Sequence, residues 1–272
     1  MIIAIFVKEI HAEMRQPGEG HMGSEQIKTR LRERILVMDG AMGTMIQEKE
    51  LTAEDFGGPD LEGCNENLNL TRPDVIQSIH EAYYQAGADI VETNTFGGTG
   101  IVLAEYGLQD KVLEINRAGA RIAREAAKKF STPEKPRFVA GSMGPTTKSI
   151  TVTGGVTFDQ LIAFFAAQTQ GLIEGGVDLL LLETAQDTLN LKAAALGILQ
   201  AREEMGADVP RMISATIERT GTMLAGQGVE ALYTSLEHLP LLSIGLNCAT
   251  GPELMTDHIR SLSEMAACLV SV

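Results

Sequence analysis

From Arg34 onward the chain repeats one pattern: a short run of aliphatic or β-branched residues, a polar Gly-rich turn, then a longer stretch whose apolar positions recur at helical spacing. The strand candidates are 35–38, 88–91, 138–140, 177–182, 212–215, 241–246 and 268–272. Nearly unbroken apolar runs are what parallel strands covered on both faces require. Between them, Val75, Ile76, Ile79, Ala82, Tyr83 and Ala86 place one apolar face on a helix over 74–86, with Thr71 and Asp74 as a capping box ahead of it. Residues 112–129, 158–174, 187–205, 229–238 and 252–267 read as helices on the same grounds. Gly87, Gly176 and Gly206 fall where three of these helices end, and glycine suits a left-handed helix terminus.

Repeated strand–helix units predict an α/β fold, either a (β/α)8 TIM barrel or a doubly wound sheet. The barrel is favoured. No G-x-G-x-x-G follows the first strand, and polar residues end nearly every strand rather than gathering at one crevice. Seven strands can be counted, so the expected barrel is incomplete, with about seven of eight strands. Its first and seventh strands would then present open edges that invite aggregation. Residues 34–272 are expected to form this partial barrel, and residues 1–33 an N-terminal extension, largely disordered before the first helix. The opening run MIIAIFVKEI lacks the basic flank and small-residue cleavage site of a signal peptide.

Composition narrows the partners. Of the 272 residues 44% are hydrophobic, enough for one large core, and no stretch approaches the length of a membrane span. A net charge of −14 argues against nucleic acid, which demands clustered Lys and Arg. Three scattered cysteines, Cys64, Cys248 and Cys268, do not make a disulfide framework and point to a reducing, cytoplasmic setting.

Chemistry in such barrels sits at the carboxyl ends of the strands. There the sequence places Asp39 and Gly40; Glu92, Asn94 and Thr95; Gly144; Glu183; and Asn247 with Cys248. Two carboxylates, Asp39 and Glu183, with a thiol and Gly-rich backbone suit an amino acid: acids for the ammonium, N–H groups for the carboxylate. Each has a plainer reading. Asp39 also fits a turn, Glu183 the cap of a nearby helix, and Cys248 an inert buried thiol. Cys64 lies in a loop, Cys268 reads as core, and His80, His238 and His258 fall on helices without ligand spacing.

Taken together, Met38-Asp39-Gly40-Ala41-Met42-Gly43, Glu92-Thr93-Asn94-Thr95-Phe96, Gly141-Ser142-Met143-Gly144-Pro145, Glu183-Thr184-Ala185-Gln186-Asp187 and Gly245-Leu246-Asn247-Cys248 resemble the homocysteine S-methyltransferase family. The likeness runs from about Ser24 onward. The segments around Asp55-Phe56 and Asn67–Asp74 are most similar to the homocysteine-binding module of its cobalamin-dependent methionine synthases. The resemblance implies a zinc-containing (β/α)8 barrel whose metal is held by three cysteines, one after the sixth strand and an adjacent pair after the eighth. Cys248 matches the first; the other two have no counterpart in this chain. It further implies that Asp39 and Glu183 lie near the substrate ammonium, and that the backbones of Gly40, Asn94, Thr95 and Gly144, together with Asn247, line the pocket.

The implied reaction is zinc-dependent activation of homocysteine as a thiolate, which takes a methyl group from methylcobalamin, itself charged from methyltetrahydrofolate, to give methionine. A free thiol has a pKa of about 8.5, so coordination is a physical route to thiolate at neutral pH. The implied partners are homocysteine and a methylcobalamin-binding module. A stand-alone homocysteine methyltransferase using betaine or S-methylmethionine would share every strand-end motif, and an inactive amino-acid-binding fragment is the reading from another class. With one zinc ligand of three, the chain alone is expected to have little or no activity.

Overall fold

The computed structural model describes residues 4–6 and 22–272. In chain order the elements are β1 (Ala4–Phe6), α1 (Met22–Glu33), β2 (Leu36–Val37), α2 (Met42–Gln47), α3 (Ala53–Phe56), α4 (Leu68–Thr71), α5 (Pro73–Ala86), β3 (Ile90–Glu92), α6 (Gly100–Leu103) and α7 (Val112–Phe130). Then follow β4 (Phe138–Met143), α8 (Phe158–Gly175), β5 (Leu179–Ala185), α9 (Thr188–Met205), β6 (Arg211–Ala215), α10 (Val229–Leu236), β7 (Ser243–Leu246), α11 (Pro252–Met265) and β8 (Leu269–Ser271).

All eight strands join one sheet in the order β2-β1-β8-β7-β6-β5-β4-β3. From β3 to β8 every neighbouring pair is parallel. The two ends of that order also meet. Met38 bridges Ile90 in parallel, the Asp89 N–H donates to the Val37 carbonyl at 2.8 Å, and the Asp39 N–H donates to the Ile90 carbonyl at 3.0 Å. Seven parallel strands, β2 to β8, therefore form a cylinder, as the sequence pattern led one to expect.

The expectation of open edges on the first and last of these strands is corrected. β1 lies between them, antiparallel to both, with Ala4 opposite Val37, Ile5 opposite Leu36 and Ser271, and Phe6 opposite Val270. It occupies the place that an eighth parallel strand takes in a regular (β/α)8 cylinder. The expectation of disorder ahead of the first helix otherwise falls on 1–3 and 7–21, outside the described residues.

Alternation along the strands sorts the core into two layers. Leu36, Met38, Ile90, Phe138, Ala140, Leu179, Leu181 and Met212 pack together inside the cylinder, and Ile27 and Leu31 of α1 join them. Their odd-step neighbours Val91, Val139, Leu180, Leu182, Ile213, Ile244, Leu246 and Val270 face out and pack under the helices. Both layers are dry, which is why these strands read as continuous apolar runs. The outer helices approach closely where side chains are absent: a Cβ on Gly197 of α9 would lie 2.5 Å from the Ile162 carbonyl oxygen of α8.

Helix ends follow the sequence in most places. Gly87, Gly176 and Gly206 adopt φ of 120°, 92° and 61° at the ends of α5, α8 and α9. The capping box foreseen at Thr71 and Asp74 does not form. Pro73 opens α5, the Thr71 hydroxyl bonds the Asn67 carbonyl inside α4, and Asp74 pairs with Arg72 at 2.9 Å. A capping box does form at α8, where the Gln160 N–H donates to Thr157 Oγ1 and the Thr157 N–H to Gln160 Oε1. Residue 238 lies in the turn after α10 rather than on the helix.

Candidate active site

The inward face of the cylinder changes character within one step. Two residues beyond the apolar floor positions Ile90, Ala140, Leu181 and Met212 stand Glu92, Ser142, Glu183 and Ser214. Asp39 follows Met38, and Asn247 comes two residues after Gly245 on β7. Period-2 alternation thus turns a greasy floor into a polar chamber at the carboxyl ends of the strands.

The chamber holds three carboxylates. Asp39 is 4% exposed, and its Oδ1 accepts the Glu92 N–H at 2.8 Å. Glu183 is 8% exposed and accepts the Ser142 hydroxyl at 2.5 Å. Glu92 keeps one carboxylate oxygen, Oε1, sealed from solvent with no hydrogen-bond partner. Burial pushes all three acids up. Asp39 rises well above the usual carboxylate range through burial and the neighbouring Glu183, despite the N–H it accepts. Glu92 rises likewise through burial, then Glu183, Asp39 and the Cys248 sulfur. Glu183 is pushed up to about 7 by burial, against the Ser142 and Thr184 hydroxyls. Like charges in low dielectric resist joint ionisation, so this chamber gains from a cation.

Asn247 ties the far side together. Its Oδ1 accepts the Thr184 N–H at 3.1 Å and the Ser214 hydroxyl at 2.6 Å. Its Nδ2 donates to Thr184 Oγ1 at 2.8 Å and to the Cys248 sulfur at 3.2 Å. Cys248 itself is exposed at the rim. Among the described residues five non-glycine positions have left-handed backbone; Ala41, Thr184, Cys248 and Ala249 sit at the ends of β2, β5 and β7, and the fifth is Glu50. Strained backbone of this kind gathers where a site must present groups at fixed angles.

The residues singled out from sequence separate into two groups. Asp39, Glu183 and Asn247 belong to the chamber or its wall, with Cys248 on its rim and half-buried Gly40 adjoining Asp39. Asn94 and Thr95 are buried and spend their side chains on the scaffold. Asn94 donates to the Asn65 carbonyl at 2.7 Å and to Asn69 at 3.1 Å, and Thr95 donates to the Ser142 carbonyl at 2.7 Å. Gly144 lies beneath the Phe96 ring, where a Cβ would come within 2.7 Å of ring carbons. It also borders a small open cleft shared with Glu183, Asp187 and Asn190. Glu92 stands among the strand-end polar residues of the sequence without an assigned role, and a two-residue step from the apolar floor marks it together with Ser142 and Ser214.

The donor set does not complete a catalytic zinc site, which needs three protein ligands. Among the described residues no group of three His, Cys, Asp or Glu is arranged to hold a metal. Cys64 is buried among Leu103, Leu108, Val112 and Ile115, and burial raises its thiol to about 11. Cys268 sits just before β8, half-buried, and is likewise raised to about 11 by burial. Cys248 is the one exposed thiol of the three. Among the described residues no helix is long and apolar enough to cross a membrane.

Comparison with known proteins places this geometry. The model of the homocysteine S-methyltransferase family matches residues 36–272. The chain belongs to that family. Methionine synthase from Mycobacterium leprae is 45% identical over 252 residues, which is 93% of this chain and 21% of that protein. Methionine synthase from Mycobacterium tuberculosis is 44% identical over the same shares. The chain thus spans about a fifth of the length of the curated relatives it matches. In fold it is similar to the homocysteine methyltransferase MmuM from Escherichia coli. The metallated form superposes with a TM-score of 0.74 at 21% identity, covering 88% of this chain and 83% of MmuM, and the oxidised form with 0.69 at 22% identity, covering 84% and 78%.

Proposed function

We propose that the chamber binds homocysteine and that the chain is the homocysteine-activating part of a methionine synthase, in which the thiol receives a methyl group from methylcobalamin held by a separate module. The observation that carries this reading is the pairing of buried acids with an exposed thiol at one strand-end face, in a chain of this family. Asp39 and Glu183 hold the substrate ammonium, whose charge relieves two acids that burial disfavours. The backbone at Gly40 and Gly144 lies to the side for the substrate carboxylate, with Asn94 and Thr95 bracing it. Asn247 fixes Thr184 and Cys248 with respect to each other. The apolar floor beneath keeps bulk water from the base of the pocket.

Cys248 is proposed as one ligand of the zinc that activates the substrate thiol in this family. Zinc, when bound, supplies Lewis acidity that lowers the pKa of a coordinated thiol. Among the described residues no further donors are grouped with it. Cobalamin rather than betaine or S-methylmethionine is favoured by the 44–45% identity to two methionine synthases. The setting is proposed to be cytoplasmic.

Calorimetric titration of the chain with homocysteine and with 2-aminobutanoate tests the substrate. Saturable homocysteine binding that Asp39→Asn weakens by about 10-fold or more is expected, since a charged hydrogen bond is worth roughly 1.5–3 kcal/mol. No binding at millimolar homocysteine, or binding indifferent to Asp39→Asn, overturns the reading.

A further inference from the structure

Of the three acids, Glu92 is set apart by what it lacks. Asp39 has an N–H donor in the Glu92 backbone, and Glu183 has the Ser142 hydroxyl. Glu92 Oε1 has none, though it is shut away from water. A buried carboxylate oxygen without a donor costs the fold its lost hydration, so such an atom persists where a ligand completes it. Its place is fixed by covalent geometry. Glu92 is the inward-facing residue above Ile90, and its own N–H is bound to Asp39. The charges of Glu183, Asp39 and Cys248 all act on it. It therefore shares the strand-end chamber with the acid pair and lies near the thiol rim.

We infer that Glu92 is a third ammonium-recognising carboxylate of this pocket, a specificity residue that selects an α-amino thiol over a thiol acid without the amine. The inference rests on the reading of the chamber as a homocysteine site. An ammonium group carries three N–H donors, and three carboxylates around it use all of them. Two acids alone would leave one donor and the Glu92 oxygen both unmatched. The same arrangement is unfavourable when empty, because burial and mutual repulsion disfavour ionisation of the three acids together. Glu92 thus trades stability of the free protein for selectivity, as binding sites commonly do.

The test compares L-homocysteine with 4-sulfanylbutanoate, which keeps the thiol and the carboxylate and lacks the amine. Dissociation constants are measured by calorimetry for the chain and for Glu92→Gln, Glu92→Asp and Glu92→Leu, alongside urea unfolding of each. Glu92→Gln is expected to weaken homocysteine by about 10-fold or more and leave 4-sulfanylbutanoate within about 2-fold. Glu92→Asp should recover part of the loss, and Glu92→Gln and Glu92→Leu should unfold at the same or higher urea. Homocysteine binding unchanged in Glu92→Gln, an equal loss for both ligands, or loss accompanied by lower urea resistance assigns Glu92 a structural role and overturns the inference. If the unaltered chain binds homocysteine no better than 4-sulfanylbutanoate, the homocysteine reading falls first and this inference with it.

Discussion

The Asn247 amide grips Thr184 twice, accepting its N–H at 3.1 Å and donating to its hydroxyl at 2.8 Å. The grip spans from the end of β7 to β5, over the intervening β6, whose Ser214 hydroxyl joins it at 2.6 Å. Thr184 holds a left-handed φ of 56° directly after Glu183, and Cys248 holds 58° directly after Asn247. One buried amide therefore sets two strained residues, each neighbouring a group of the proposed site.

Asn247→Leu should expose what that amide contributes. It leaves the Thr184 N–H and the Ser214 hydroxyl without their buried partner, and each such loss costs about 1–3 kcal/mol. A destabilisation of about 2–4 kcal/mol in urea unfolding is expected. Thr184 should relax from its left-handed conformation, lowering homocysteine affinity along with stability. A variant as stable as the parent would show that the strain at Thr184 is held by other contacts.

The acids make stability depend on pH in a definite direction. Glu183 has a folded pKa of about 7 against an ordinary 4.5, so the folded chain holds this proton more tightly than the unfolded one. Its contribution is complete below about pH 4.5 and is lost as pH rises through 7, by at most about 3 kcal/mol. Asp39 and Glu92 are raised too and act in the same sense. His80 opposes them. Burial without a partner lowers its imidazole to about 4, so stability falls as pH drops from 6.5 toward 4 and the unfolded chain takes up the proton. Melting temperature should peak in mildly acidic buffer. Glu183→Gln should flatten the alkaline limb and His80→Leu the acidic one, measured by scanning calorimetry from pH 4 to 9.

Most of the cylinder was legible because its strands are apolar on both faces, and that pattern survives reading one residue at a time. The ends were less so. β4 and β5 run on through Ser142, Glu183 and Thr184, residues that look like loop because the inward face has become a polar chamber. Asp39, Glu92 and Glu183 all stand out as acids at strand ends, but a role for Glu92 depends on two acids distant in sequence and no local pattern supplies it. The resemblance gives pocket lining to the backbone at Asn94 and Thr95; that their side chains brace the scaffold is not legible, because the partners Asn65, Asn69 and Ser142 lie on other segments. The role of Ala4–Phe6 depends on a gap between β2 and β8 that no local pattern announces. The missed cap at Thr71 is of the same kind: Arg72 binds Asp55 and Asp74 together, so Asp74 is already engaged.

β1 is short but sits in two ladders at once, with Ile5 registered against both Leu36 and Ser271. Ile5→Pro removes a donor and clashes with strand geometry on a strand paired on both sides. The result should be a lower melting temperature and concentration-dependent association, because the edges of β2 and β8 are then unpaired. Light scattering after size exclusion reads the association, and Ile5→Val serves as a control that should remain like the parent. A monomeric Ile5→Pro variant with unchanged melting would show that β1 contributes nothing to closing the cylinder.

The thiol count sets an expectation for metal. A catalytic zinc takes three protein ligands, and a site with fewer loses affinity steeply because each thiolate contributes both charge and a soft donor. Here Cys248 is exposed, Cys64 is buried in a separate cluster, and Cys268 is half-buried beside β8. Burial keeps the latter two thiols protonated at neutral pH, with pKa values near 11, which makes them poor ligands. Chain dialysed against zinc and then against a weak chelator should therefore retain well under one zinc per chain by atomic emission, with Cys248→Ser making little difference. One zinc per chain that Cys248→Ser removes would mean that further donors reach the rim beside Cys248, and the metal site would then be complete within these 272 residues.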